Sequence, residues 1–165
     1  MSALLTAVLI PARPHRPVTA LRFPAEEIPL LWAEVGGPIE RVMLLDPAGA
    51  LIVNGWGVRY GLPANARATA LAAAANPVWR GGTIVGDAVL VGAASGGAES
   101  CADPAYTDVL LVSGRVGIEI REPSGDTPGI AVPPVEWSDP FAAYTEGLRL
   151  ARGYPLCAVR VHRLG

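Results

Sequence analysis

A chain of 165 residues that is 51% hydrophobic and 17% charged can bury a core of its own, which excludes a disordered tail. Its net charge of −2 excludes both the basic face of a nucleic-acid binder and the carboxylate carpet of a DNA mimic. It contains no Lys and no Gln, and Gly, Pro or a charge interrupts every apolar run before it reaches the length of a membrane span.

Residues 4–10 read as a buried strand. The apolar start lacks a basic leader and runs into Pro11, so it is expected to be a strand and not a signal peptide. A Pro-rich turn over 11–17 leads to a neighbouring strand over 18–23. A short helix over 28–35 follows. Glu26 and Glu27 precede it, Pro29 suits its first turn, and Ile28, Leu31, Trp32 and Val35 fall on one face. Gly36-Gly37 supplies the stop.

Strands are expected over 39–45 and 51–53, joined by a turn at Asp46-Pro47-Ala48-Gly49. Asn54-Gly55 after a β-branched run signals a tight hairpin, with 58–60 as the returning strand. Asn65 is placed to cap an Ala-rich helix over 66–75, which Asn76-Pro77 ends. Residues 83–91 read as a bulged strand pair or one bent strand around Gly86-Asp87.

Residues 93–105 have a linker's composition. Beyond them, 108–112 and 115–121 suggest a hairpin through Ser113-Gly114, followed by a Pro/Gly-rich loop over 122–134. A helix over 139–152 starts at Ser138 or Asp139 with Pro140 and stops at Gly153, and 156–161 forms a last strand. Strands outnumber helices without regular alternation, so the expected class is α+β with a small mixed or antiparallel sheet. Three segments follow: a core domain over 1–92, a linker over 93–105 and an extension over 106–165 that packs on the core.

The residue inventory restricts the chemistry. Without Lys there is no Walker A loop, Schiff base or pyridoxal-phosphate anchor. His15 and His162 lack ligand spacing with Cys101 or Cys157, so no metal and no cofactor is expected. No G-x-S-x-G elbow occurs. The two isolated cysteines are expected as free thiols in a cytoplasmic protein. Asp87, in an otherwise apolar strand, is the one catalytic candidate, as a buried base; the competing role is bonding the amides of a tight turn.

The 54–69 segment carries the binding expectation. Arg59, Tyr60, Asn65, Arg67 and Thr69 offer two forked cations, an aromatic face, an amide and a hydroxyl that would converge on an anion at a helix N-terminus. The competing reading gives each a local job: Asn54 in a turn, Gly61-Leu62-Pro63 fixing the loop, Asn65 as a cap and the arginines solvated.

Four blocks carry a resemblance: Val35-Gly36-Gly37-Pro38-Ile39-Glu40, Asn54-Gly55-Trp56-Gly57, Gly61-Leu62-Pro63-Ala64-Asn65, and Ile84-Val85-Gly86-Asp87 running to Gly92. In combination they resemble an uncharacterised domain of phage, plasmid and bacterial proteins, especially of actinobacteria and firmicutes, over about residues 4–92. Members often carry acidic residues inside the N-x-x-G block, where this chain has Gly55 and Trp56. The resemblance implies an accessory role in mobile elements and no catalytic residues, and it implies nothing about the segment after the linker.

The leading expectation is therefore a non-catalytic accessory protein that binds a small anionic, nucleotide-like ligand or a host protein, with an anti-defence role as one outlet. Two alternatives stand beside it: an enzyme acting on a nucleotide or peptide with Asp87 as base, and an interaction module forming a homodimer through Trp56, Trp79 and Trp137. Neither nucleic acid nor membrane is expected as a partner.

Overall fold

Among the described residues, the aliphatic and β-branched runs become eight strands in two antiparallel sheets, with four helices packed on them, so the chain has an α+β fold. The computed structural model describes residues 3–123, 128–132 and 136–165. Among these, no helix is long and apolar enough to cross a membrane.

The larger sheet holds β1 (Leu4–Ile10), β2 (Thr19–Pro24), β3 (Ile39–Leu45), β4 (Ala48–Asn54) and β5 (Ala88–Val91) in the order β2-β1-β5-β4-β3. Its central strands are buried on both faces, which explains their unbroken apolar runs. Ala50, Ile52, Val89 and Val91 meet α1 (Ile28–Val35) on one side. Leu51, Val53, Ala88 and Leu90 face the main core on the other, with α2 (Ala66–Ala75). Helix α2 packs on β3 and β4 and also touches α4 (Pro140–Leu150) and β8 (Ala158–Arg163). The smaller sheet orders β7 (Ile130–Ala131), β6 (Val116–Arg121) and β8, and α4 lies against β6 and β8. One apolar cluster runs from Val8 and Leu51 through Leu71 and Tyr106 to Ile118 and Val159.

Several elements differ from expectation for identifiable reasons. Helix α1 buries only Leu31 and Val35 against β4 and β5 and leaves Ile28 and Trp32 outside. Its stop is as expected: Gly36 adopts φ +79° and its amide donates to Trp32 O. Strand β4 begins at Ala48, since Asp46-Pro47 alone turns the chain and Leu45 pairs with Ala48. Residues 58–60 form no returning strand, because β3 and β5 already occupy both edges of β4. Within 83–91 only β5 is a strand; Val85 makes a single bridge to Ala64, and Gly86 at φ +77° redirects the chain.

The expected strand over 108–112 is replaced by helix α3 (Pro104–Leu110), which Asp103 caps by accepting the Ala105 amide. The expected loop over 122–134 lies partly outside the described residues, and its described part contains β7.

Polar contacts tie the segments together. Gly92 donates to Ser100 O, Ala102 donates to Thr6 O, and the buried Glu99 accepts both terminal nitrogens of Arg41. Asp46, also buried, fixes the β3–β4 turn to the second sheet. Its Oδ2 lies 2.8 Å from Arg121 Nε and its Oδ1 3.8 Å from Arg160 Nη2. The Arg121 contact is close but not aligned as a hydrogen bond, so it is an ionic contact above all.

Candidate functional site

The loop after β4 is fixed by its own backbone. Asn54 is buried; its Nδ2 donates to Val35 O, and its Oδ1 accepts the Trp56 amide at 2.8 Å. Gly55 N donates to Pro38 O, Gly57 N to Asn54 O, Tyr60 N to Trp56 O, Gly61 N to Val58 O and Leu62 N to Gly57 O. A side chain at Gly57 would crowd this loop, since a Cβ there would stand 2.7 Å from Val85 Cγ2 and 3.2 Å from Asn54 O. The outcome is a tightly wound loop and not the two-residue hairpin expected at Asn54-Gly55.

This winding turns large side chains outward. Trp56 is 48% exposed, Tyr60 51% and Val58 80%. The Arg59 guanidinium lies 5.8 Å from the Trp56 ring centroid, and Tyr60 meets Trp56 edge-on at 5.9 Å. An exposed cation–π contact of this kind contributes about 0.5–1 kcal/mol, enough to bias rotamers but not to hold the fold.

The five residues singled out in the sequence separate into two groups. Arg59 and Tyr60 share the exposed cluster with Trp56. Asn65, Arg67 and Thr69 are engaged inside the protein and do not converge with them. Asn65 is fully buried: its Nδ2 donates to Ile10 O and Gly86 O, each at 2.9 Å, and its Oδ1 caps α2 by accepting the Ala68 amide. Thr69 Oγ1 accepts the Ile84 amide. Arg67 Nη2 reaches the carbonyls of Pro11 (2.6 Å), Arg16 (2.9 Å) and Arg13 (3.1 Å), and its guanidinium lies 5.8 Å from the Phe141 ring centroid. Burial lowers the Arg67 pKa, opposed by Asp139 and Asp87. An anion at the N-terminus of α2 would therefore have to displace existing bonds.

Asp87 serves neither its own turn alone nor a site with Arg59 and Arg67. Its Oδ1 accepts the Ala12 amide at 2.9 Å across the fold, and its Oδ2 lies 3.8 Å from Arg16 Nη1. It lines a half-open cleft of about 440 Å³ with Arg13, Arg16 and Glu34, over Leu62 and Pro63. Arg13, Arg16 and Glu34 were missed by sequence reasoning. Two arginines three apart in the Pro-locked stretch Arg13-Pro14-His15-Arg16 were the available signal.

No family model, curated protein or solved structure matches the chain. Among the described residues, no group of three or more His, Cys, Asp or Glu is placed to hold a metal ion. Cys101 is exposed and Cys157 half-buried, and both are free thiols. Trp79 and Trp137 are partly buried against the core, which leaves Trp56 as the exposed member of the expected aromatic trio.

Proposed function

We propose that this chain is a non-catalytic binding protein that engages a protein partner through the 54–62 loop. The carrying observation is the exposed trio of Trp56, Arg59 and Tyr60 on a backbone tied by successive hydrogen bonds. Trp, Tyr and Arg dominate binding energy in protein interfaces, and a preorganised loop loses little entropy on docking. The complementary partner offers an apolar pocket for the indole and a carboxylate for Arg59. The sequence blocks around this loop are those that resemble the mobile-element domain, so a host protein met in the cytoplasm is the partner proposed, with interference in host defence as the purpose.

Host proteins retained on the immobilised chain would be identified by mass spectrometry, and the affinity of each then measured in purified form. Trp56→Ala and Arg59→Ala should each weaken the specific partner by about 1–3 kcal/mol while leaving the unfolding midpoint unchanged. A partner that binds both variants as tightly as the parent would refute the assignment.

A further inference from the structure

We infer a second binding site, distinct from the exposed cluster of Trp56, Arg59 and Tyr60: the cleft between the β1–β2 loop and α1 takes a small zwitterion of the α-amino-acid class. Its walls carry both signs of charge. Arg13 and Arg16 stand on the β1–β2 loop, Glu34 on the last turn of α1, and Asp87 just before β5. The lining between them is apolar, from Ala12, Val35, Leu62 and Pro63, and the volume of about 440 Å³ falls among small-ligand sites.

The charged walls are built in advance. Arg67 gathers the carbonyls of Pro11, Arg13 and Arg16 on the inner side of the β1–β2 loop, and Asp87 holds the Ala12 amide. The loop is thereby clamped from two sides while the side chains of Arg13 and Arg16 line the cleft. Arg16 and Asp87 form an ion pair at 3.8 Å, longer than a hydrogen bond, and the Arg16 side chain is 53% exposed, so a ligand can bridge the two charges. Among the described residues, Arg13 and Glu34 form no ion pair.

A plain anion attracted to the arginines would be opposed by Asp87 and Glu34, and a plain cation by the arginines. A ligand with both charges on neighbouring atoms satisfies both walls. Its carboxylate goes to Arg13 and Arg16, its ammonium to Asp87 and Glu34, and an aliphatic side chain lies on Leu62 and Pro63.

The test is calorimetric titration of the full chain with L-leucine, isocaproate (no ammonium) and isoamylamine (no carboxylate). Leucine should bind at least about tenfold more tightly than either single-charge analogue, one charge-assisted bond's worth. Glu34→Gln should weaken leucine about tenfold and strengthen isocaproate, while Arg13→Ala weakens leucine and isocaproate together. Asp87→Asn keeps the acceptor for Ala12 N and should reproduce the Glu34→Gln pattern. Equal binding of all three probes, no saturation by leucine at millimolar concentration, or leucine affinity untouched by Glu34→Gln in a folded variant would each overturn the proposal. Trp56→Ala should leave leucine binding intact, which separates this site from the protein-binding loop.

Discussion

Replacing Asn65 tests whether its side chain acts as a helix cap or as a three-way staple. As a cap alone it would be exchangeable, because Asp caps helices as well as Asn does. The structure assigns it two further bonds, from Nδ2 to Ile10 O and Gly86 O, in a position with no solvent exposure. Asn65→Ala removes the cap, about 0.5–2 kcal/mol, and strips a donor from two carbonyls at about 1–3 kcal/mol each, so a loss of roughly 2.5–8 kcal/mol is expected. That is a large part of the roughly 5–15 kcal/mol that holds a domain folded. Asn65→Asp keeps the acceptor for Ala68 N but turns an oxygen toward both carbonyls. At neutral pH the buried carboxylate faces two acceptors with no donor; protonated, it satisfies only one of them. The aspartate variant should therefore lose at least as much as the alanine variant at pH 7, and less in acid. Urea unfolding followed by far-UV circular dichroism measures both, with constant m-values as the check on two-state behaviour. An Asn65→Asp variant within about 0.5 kcal/mol of the parent at pH 7, the range of an ordinary surface change, would refute the staple.

Gly147 lies inside α4, where helix propensity alone favours alanine by about 1 kcal/mol. A Cβ there would overlap Val159 Cγ1 and stand 3.1 Å from Ile118 Cγ2, a collision costing about 1–3 kcal/mol, so Gly147→Ala should lower the unfolding midpoint. A raised midpoint would show that α4 can lift off the smaller sheet at little cost. Burial raises the pKa of Tyr144, with Arg160 opposing, and burial likewise raises Tyr106, whose hydroxyl donates to Pro47 O. A raised folded-state pKa gives stability that is complete below the unfolded phenol's value, about 10, and is lost as pH rises above it. Stability should thus fall above about pH 10, with Tyr144 contributing up to about 1.4 kcal/mol per pH unit, and Tyr144→Phe should flatten that part of the curve; parallel curves for parent and variant would contradict the burial argument.

The parts of the fold legible in the sequence are those whose signals are local. Helix α2 follows from Asn65, the alanine run and Asn76-Pro77, all within a dozen positions, and it appears with the expected bounds. Helix α3 is not legible in the same way, because Asp108 to Val112 offers a short apolar run, where length cannot separate strand from helix. The overlooked cue was Asp103-Pro104, which starts α3 as Asp139-Pro140 starts α4, each Asp accepting the amide two residues on. The candidate site was legible only where its geometry is local. Arg59, Tyr60 and Trp56 meet because one loop winds around Asn54. Arg67 offers the same chemistry, yet its partners lie more than fifty positions away, in a loop that the β1–β5 pairing brings over the start of α2. No spacing rule within the 54–69 segment carries that information.

The junction of Asn54 and Gly55 bears on how the protein ages. An Asn-Gly bond loses ammonia when the glycine amide nitrogen closes on the side-chain carbonyl of the asparagine, a reaction that requires that nitrogen and that amide to be free. Here Gly55 N donates to Pro38 O at 2.7 Å, while Asn54 Nδ2 and Oδ1 are both engaged and the side chain is buried. Deamidation is thereby confined to molecules in which the end of the β3–β4 hairpin has opened. Its rate, followed by intact-mass spectrometry, becomes a slow clock for that local opening. Each event is also irreversible: it installs a carboxylate where Asn54 Oδ1 now accepts the Trp56 amide, so the binding loop would record the protein's own history of fluctuation.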